Sequence, residues 1–276
     1  MSNRLRTGLE EKYNGESKVR KNLKDRMESK ENIFIPYIMA GDGGLGILEE
    51  RISFLEECGA SAIEVGIPFS DPVADGPVIQ DAGIRALKND TTLSGVIETL
   101  QSFKDSRSIP IIMMTYLNPV YAYGLDRFIS DCAAADVDGI IIPDMPMEEE
   151  NILAESLSEH GIAFIRLAAM TSPLNRLTAL AQRSEGFLYA VAVNGTTGVR
   201  TSHDERVKAY LSNLKEHSHV PVLAGFGVSN SGQAHALSNH CDGVIVGSKI
   251  VELLHEGKDE EVKAFIQESI KLEIPS

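Results

Sequence analysis

Positive charge is scarce in this 276-residue chain: 26 Lys and Arg stand against 40 Asp and Glu, a net charge of −14. A nucleic-acid binder needs a basic footprint, so that class is excluded. Only three cysteines occur, Cys58, Cys132 and Cys241, scattered and without a CxxC pair. They read as small buried hydrophobes in a reducing compartment, which excludes a disulfide or zinc framework and gives a cytoplasmic expectation. No apolar run approaches a membrane span, so no membrane contact is expected, and tryptophan is absent. The sequons Asn89-Asp90-Thr91 and Asn194-Gly195-Thr196 carry no meaning without a sign of secretion. His217 and His219 alternate in a predicted loop, and His235 and His240 flank a helix end. None has metal-ligand spacing with a carboxylate partner, so no metal is expected. What is present, 43% hydrophobic and 24% charged residues, is ample for one large core.

The first thirty residues depart from the rest, with nine Lys or Arg against five Asp or Glu. The acids Glu10, Glu11, Glu16, Asp25 and Glu28 count against a transit peptide. From Ser17, the residues Val19, Leu23 and Met27 recur every four positions, a narrow apolar stripe on a helix. The expectation is a flexible basic tail over 1–16 and one domain over 17–276, its first helix closing the bottom of a barrel. A basic arm for an acidic partner is the alternative.

After residue 32, apolar β-rich runs alternate with amphipathic stretches. The runs are 34–39, 62–65, 109–115, 139–142, 163–167, 187–193, 220–224 and 243–246. The helical patterns include 48–58, 93–103, 125–135, 148–159 and 174–182, and a last one through Val262, Phe265, Ile266 and Ile270. Near-continuous apolar strands between helices mark a parallel sheet buried on both faces. Eight such units in this length predict a closed (β/α)8 TIM barrel, with chemistry at the C-terminal ends of the strands. Glu64, Asp75, Tyr116, Asp144 and Tyr189 all fall near those ends and could converge on one mouth.

Two glycine-rich signals compete for interpretation. Gly41-Asp42-Gly43-Gly44-Leu45-Gly46 satisfies G-x-G-x-x-G after a predicted strand, with Glu64 about twenty residues on, as in dinucleotide-binding halves. Eight βα units and the proline-rich loop after Glu64 weigh against that reading. Gly225-Phe226-Gly227-Val228-Ser229 and Gly247-Ser248 follow the seventh and eighth runs. TIM barrels frequently hold a phosphate there on backbone N–H groups. Either loop alone is plain turn chemistry; both together point to a small phosphate ester.

The most informative segment runs from Glu64 to Pro77, EVGIPFSDPVADGP. A carboxylate inside an apolar strand is costly unless paired or functional, and desolvation would raise its pKa toward that of a useful proton donor. Pairing with a Lys or Arg on a neighbouring strand is the alternative. The segment resembles the signature of the tryptophan synthase alpha subunit family: Glu, a Gly two residues on, Pro-Phe-Ser-Asp-Pro, then Ala-Asp-Gly-Pro. The resemblance extends over roughly residues 33–255, and the N-terminal tail is longer than the family usually carries.

That resemblance implies cleavage of indole-3-glycerol phosphate to indole and glyceraldehyde 3-phosphate, without metal or covalent cofactor. It implies Glu64 as acid–base group, Asp75 on the indole N–H, and Tyr189 tuning Glu64. Tyr37, Ile79, Tyr116, Ile141 and Phe226 would line the indole pocket. Thr197 would hydrogen-bond Asp75 on closure of the 194–200 loop, and Gly198 would join Gly225, Gly227, Gly247 and Ser248 on the phosphate. Asp71 and Pro72 would meet a pyridoxal-phosphate beta subunit in an alpha2beta2 tetramer. Two positions depart from the family pattern: Gly43 stands where proline is usual, and Thr196 where the mobile loop is apolar. A stand-alone lyase, a non-catalytic subunit that activates beta, and a barrel acting on another sugar phosphate are the alternatives.

Overall fold

Why the strands are apolar on both faces is evident from the computed structural model, which describes residues 32–191, 200–225 and 227–271 together with Asp25 and Glu28. Nine parallel strand segments wrap into a nearly closed barrel in the order β5-β4-β3-β2-β1-β9-β8-β7-β6. They are β1 (Ile33–Met39), β2 (Ile63–Gly66), β3 (Ile111–Met114), β4 (Gly139–Ile141), β5 (Ala163–Phe164), β6 (Arg166–Ala169), β7 (Leu188–Val191), β8 (Val222–Gly225) and β9 (Gly243–Val246). The described helices are α1 (Leu48–Glu57), α2 (Pro77–Lys88), α3 (Leu93–Ser102), α4 (Leu117–Tyr123), α5 (Leu125–Ala134), α6 (Ala154–Glu159), α7 (Leu174–Arg183), α8 (Arg200–His217), α9 (Ser231–Ser238), α10 (Ser248–His255) and α11 (Asp259–Ile270). None is long and apolar enough to cross a membrane. Apart from Asp25 and Glu28, the predicted helix from Ser17 lies outside the described residues, as does the 194–199 part of the lid loop.

The period-2 alternation of each strand divides the core in two. Ile33, Ile35, Ala62, Ile112, Ile141, Ala163, Ile165, Phe187, Leu223 and Ile245 point inward and form a plug. The intervening residues, such as Phe34, Ile38, Ile63, Val65, Ile111 and Ile140, meet Ile52, Leu55, Val96, Ile97, Leu100 and Phe128 of the helical shell. Local signals start the helices: Pro77 opens α2 with φ already suited to it. Thr92 caps α3 by accepting the Gly95 N–H at 3.1 Å.

Eight strands were expected, and the ninth segment comes from one of them. The run 163–167 is divided at Ile165 into β5, paired with β4, and β6, paired with β7. This is the seam of the barrel, where one strand changes neighbours. Arg166 lies buried there, its Nε 2.7 Å from Glu150, which also accepts from Arg183 at 2.9 Å. Arg166 further donates to the Phe164 carbonyl at 3.1 Å, so the buried charge is paired and hydrogen-bonded.

At the opposite end from the mouth, four side chains each accept an N–H from the first or second residue of a preceding strand. Ser61 takes Phe34 (3.2 Å), Asp138 takes Ile111 (2.8 Å), Glu185 takes Phe164 (3.2 Å) and Asp242 takes Val222 (2.8 Å). Each acceptor stands shortly before the next strand, so the contacts tie the units of the barrel in successive pairs.

Candidate active site

Glu64 sits in the middle of β2 between Ile63 and Val65, 1% exposed. Among the described residues, neither of its carboxylate oxygens has a hydrogen-bond partner. The pairing with a Lys or Arg on a neighbouring strand that the sequence left open does not occur among the described residues. With no compensating charge, burial pushes its pKa up to about 8, and the negative charge of Asp75 adds to the rise. At neutral pH the group therefore holds its proton.

Asp75 is carried by the loop that leaves β2. That loop is pinned by Tyr116, whose hydroxyl accepts the Ala74 N–H at 2.9 Å and whose ring packs on Phe69 with centroids 5.3 Å apart. Asp75 N donates to the Pro72 carbonyl at 3.2 Å, and Gln80 Nε2 donates to the Asp75 carbonyl at 2.8 Å. Burial raises the Asp75 pKa, while a hydrogen bond from the Tyr116 side chain holds it back. Asp144, after β4, accepts the Leu117 N–H at 2.9 Å at the start of α4.

Two further phenols enter the mouth because two strand positions have no side chain. Tyr37 of β1 lies in register with Glu64 of β2, and its ring tip occupies the space over Gly66. A Cβ at Gly66 would stand 1.9 Å from the Tyr37 hydroxyl. Tyr189 of β7 uses Gly225 of β8 in the same way, at 2.2 Å from its ring. Burial first, and the carboxylates second, hold both phenols well above their ordinary pKa, so both stay protonated.

The remaining predicted residues distribute as follows. Ile79 of α2 packs with Tyr37, Met39 and Val251 beside the mouth, and Ile141 belongs to the inward plug. Gly225 ends β8, Gly227 follows it, and Gly247 leads into α10 at Ser248. Gly247 stands next to Tyr37 and Ile79, since an added Cβ would lie 3.6 Å from each. Asp71 is exposed and Pro72 half-buried in a loop whose Val73 is 84% exposed. Thr197, Gly198 and Phe226 lie outside the described residues, as does Thr196. Among the described residues no three His, Cys, Asp or Glu side chains are grouped to hold a metal ion.

The glycine-rich 41–46 turn has a mechanical explanation. Arg85 of α2 grips Asp42 with two bonds of 2.7 Å, Arg51 reaches the Asp42 carbonyl at 2.7 Å, and Asn89 the Gly41 carbonyl at 2.9 Å. Gly43 adopts φ +97°, which proline cannot take. The turn is thus fastened to α2, the helix that follows Asp75. Sequence reasoning missed Arg85, Gln80 and the inward methionines Met39 and Met114. Only the Asp within a glycine turn hinted at a partner, and that partner is 43 residues away.

Comparison with known proteins agrees with this geometry. A family model described as tryptophan synthase alpha chain matches residues 23–274. A tryptophan synthase alpha chain from Oceanobacillus iheyensis is 60% identical over 256 residues, covering 93% of this chain and 98% of that one. One from Bacillus anthracis is 51% identical over 245 residues, covering 89% and 95%. Among solved structures, Mycobacterium tuberculosis tryptophan synthase superposes with TM-score 0.85 at 31% identity, covering 94% and 100%. A Pyrococcus furiosus structure of the tryptophan synthase a2b2 complex gives 0.79 at 36% identity, covering 87% and 98%. The chain belongs to the tryptophan synthase alpha chain family.

Proposed function

We propose that the chain is the lyase subunit that splits indole-3-glycerol phosphate into indole and glyceraldehyde 3-phosphate in the cytoplasm, working with a tryptophan synthase beta subunit. The observation that carries this reading is Glu64, a fully buried carboxyl without a hydrogen-bond partner among the described residues, its proton held to about pH 8, with Asp75 close enough to influence it. The reaction is a retro-aldol cleavage. Indole C3 first gains a proton, for which neutral Glu64 is the donor. The ring nitrogen then carries positive charge, which the Asp75 carboxylate stabilises at the N–H. The C3–C3′ bond breaks with its electron pair returning to the ring, while the side-chain 3′-hydroxyl loses its proton to ionised Glu64 and becomes the aldehyde. Protons balance over the cycle, and Glu64 returns to its neutral form.

Tyr189, facing the same space, keeps Glu64 in an apolar and protonated setting. Tyr37, Ile79, Tyr116, Ile141 and Phe226 hold the ring, and Thr197 meets Asp75 on closure. The backbone at Gly198, Gly225, Gly227, Gly247 and Ser248 takes the phosphate, an arrangement that needs no Lys or Arg. The outward Asp71-Pro72 loop with exposed Val73 is the surface offered to beta.

The test is indole release from indole-3-glycerol phosphate, with and without beta subunit, beside Glu64→Gln. Slow release alone, strong acceleration by beta and near-total loss in the variant are expected. Fast release without beta would make it a stand-alone lyase. No release in either condition would remove the assignment.

A further inference from the structure

Of the four residues that β1 turns inward, Ile33, Ile35, Tyr37 and Met39, only Tyr37 carries a hydroxyl. It is 6% exposed, and the one hydrogen bond its oxygen makes among the described residues is to the Met39 sulfur at 3.9 Å, a weak acceptor. Buried hydroxyls are ordinarily better satisfied. The ring tip rests over Gly66, one inward position beyond Glu64 on the neighbouring strand, and Glu64 itself has no hydrogen-bond partner among the described residues.

Strand order then says what passes this point. β1 stands between β2, which carries Glu64, and β9, which ends at Gly247-Ser248. Resting on the functional reading above, a substrate whose breaking bond lies at Glu64 and whose phosphate lies at Gly247 must run its glycerol chain across the end of β1. We propose that the Tyr37 hydroxyl donates a hydrogen bond to the substrate's 3′-oxygen, the atom that becomes the aldehyde oxygen. As the C3–C3′ bond breaks, that oxygen gives its proton to Glu64, and its O–H electron pair forms the new C=O bond. Tyr37 keeps its own proton throughout and steadies the charge that grows on the oxygen before the double bond is complete. Burial first, and then Asp75 and Glu64 beside the phenol, favour this protonated state.

The experiment is steady-state cleavage by the full chain with beta subunit, comparing wild type with Tyr37→Phe. A fall in kcat of about tenfold or more with KM within about twofold is expected, the pattern of an interaction made mainly in the transition state. An unchanged kcat, or a loss confined to KM, would overturn the proposal while leaving the lyase assignment standing. An inactive wild type would overturn both. Binding of an indole propyl phosphate, which lacks both side-chain hydroxyls, checks that the variant site is intact. Wild type and Tyr37→Phe should bind it within about twofold. A tenfold weaker variant would show the hydroxyl contributing to ground-state binding without the 3′-oxygen and sink the proposal.

Discussion

At the scale of single residues, Glu64 joins stability to chemistry. Its carboxyl moves from 4.5 to about 8 on folding, so the fold disfavours the ionised form. Below pH 4.5 the folded and unfolded chains are both protonated there and nothing is lost. As pH rises to 8, unfolding releases a proton, and stability falls until a penalty of ~5 kcal/mol is complete. Glu64→Gln removes that penalty. Its melting temperature should match wild type near pH 4.5 and exceed it by ~5–10 °C at pH 9, read by thermal scans across that range. A difference that stays constant with pH would contradict the burial argument. For wild type, kcat/KM should decline above pH 8 as the donor ionises. Glu64 was legible because a lone charge in an apolar strand stands out. The absence of any partner was not legible, since a sequence does not say what faces a side chain.

At the scale of elements, the loop between β2 and α2 aims Asp75, and Tyr116 holds the loop. Tyr116→Phe leaves the ring on Phe69 but strips the acceptor from Ala74 N–H and the donor from Asp75. A loss of ~1–2 kcal/mol in transition-state binding is expected, seen as about a tenfold drop in kcat/KM with little change in melting temperature. The turn at Gly43 gives a second test, because its φ of +97° lies outside the range of proline. Gly43→Pro, although it restores the residue the family usually carries, should destabilise by ~2 kcal/mol or more in urea titration. Helices 48–57, 93–102, 125–134 and 174–183 lie within a residue or so of the amphipathic patterns that announced them. The break at Ile165 had no such announcement. The alternation continues through it, and only closure of the sheet on itself makes the strand change neighbours there.

At the scale of the whole molecule, the acceptors Ser61, Asp138, Glu185 and Asp242 bind strands together at the end remote from the chemistry. Asp138→Ala would leave the Ile111 N–H buried without an acceptor, costing ~2 kcal/mol. Denaturant unfolding should register that loss while kcat stays at the wild-type value. A variant equally stable, or one with impaired turnover, would refute the separation of the two ends. The barrel was legible in the recurrence of strand and helix, and these contacts were not, since each joins residues 20 to 27 positions apart. The two phenols seated over Gly66 and Gly225 also decide how this mouth can change over evolutionary time. Trimming either ring widens the opening in a single step. No side chain can be added opposite without evicting the ring already there, so descendants of this chain can drift toward bulkier substrates far more readily than toward smaller ones.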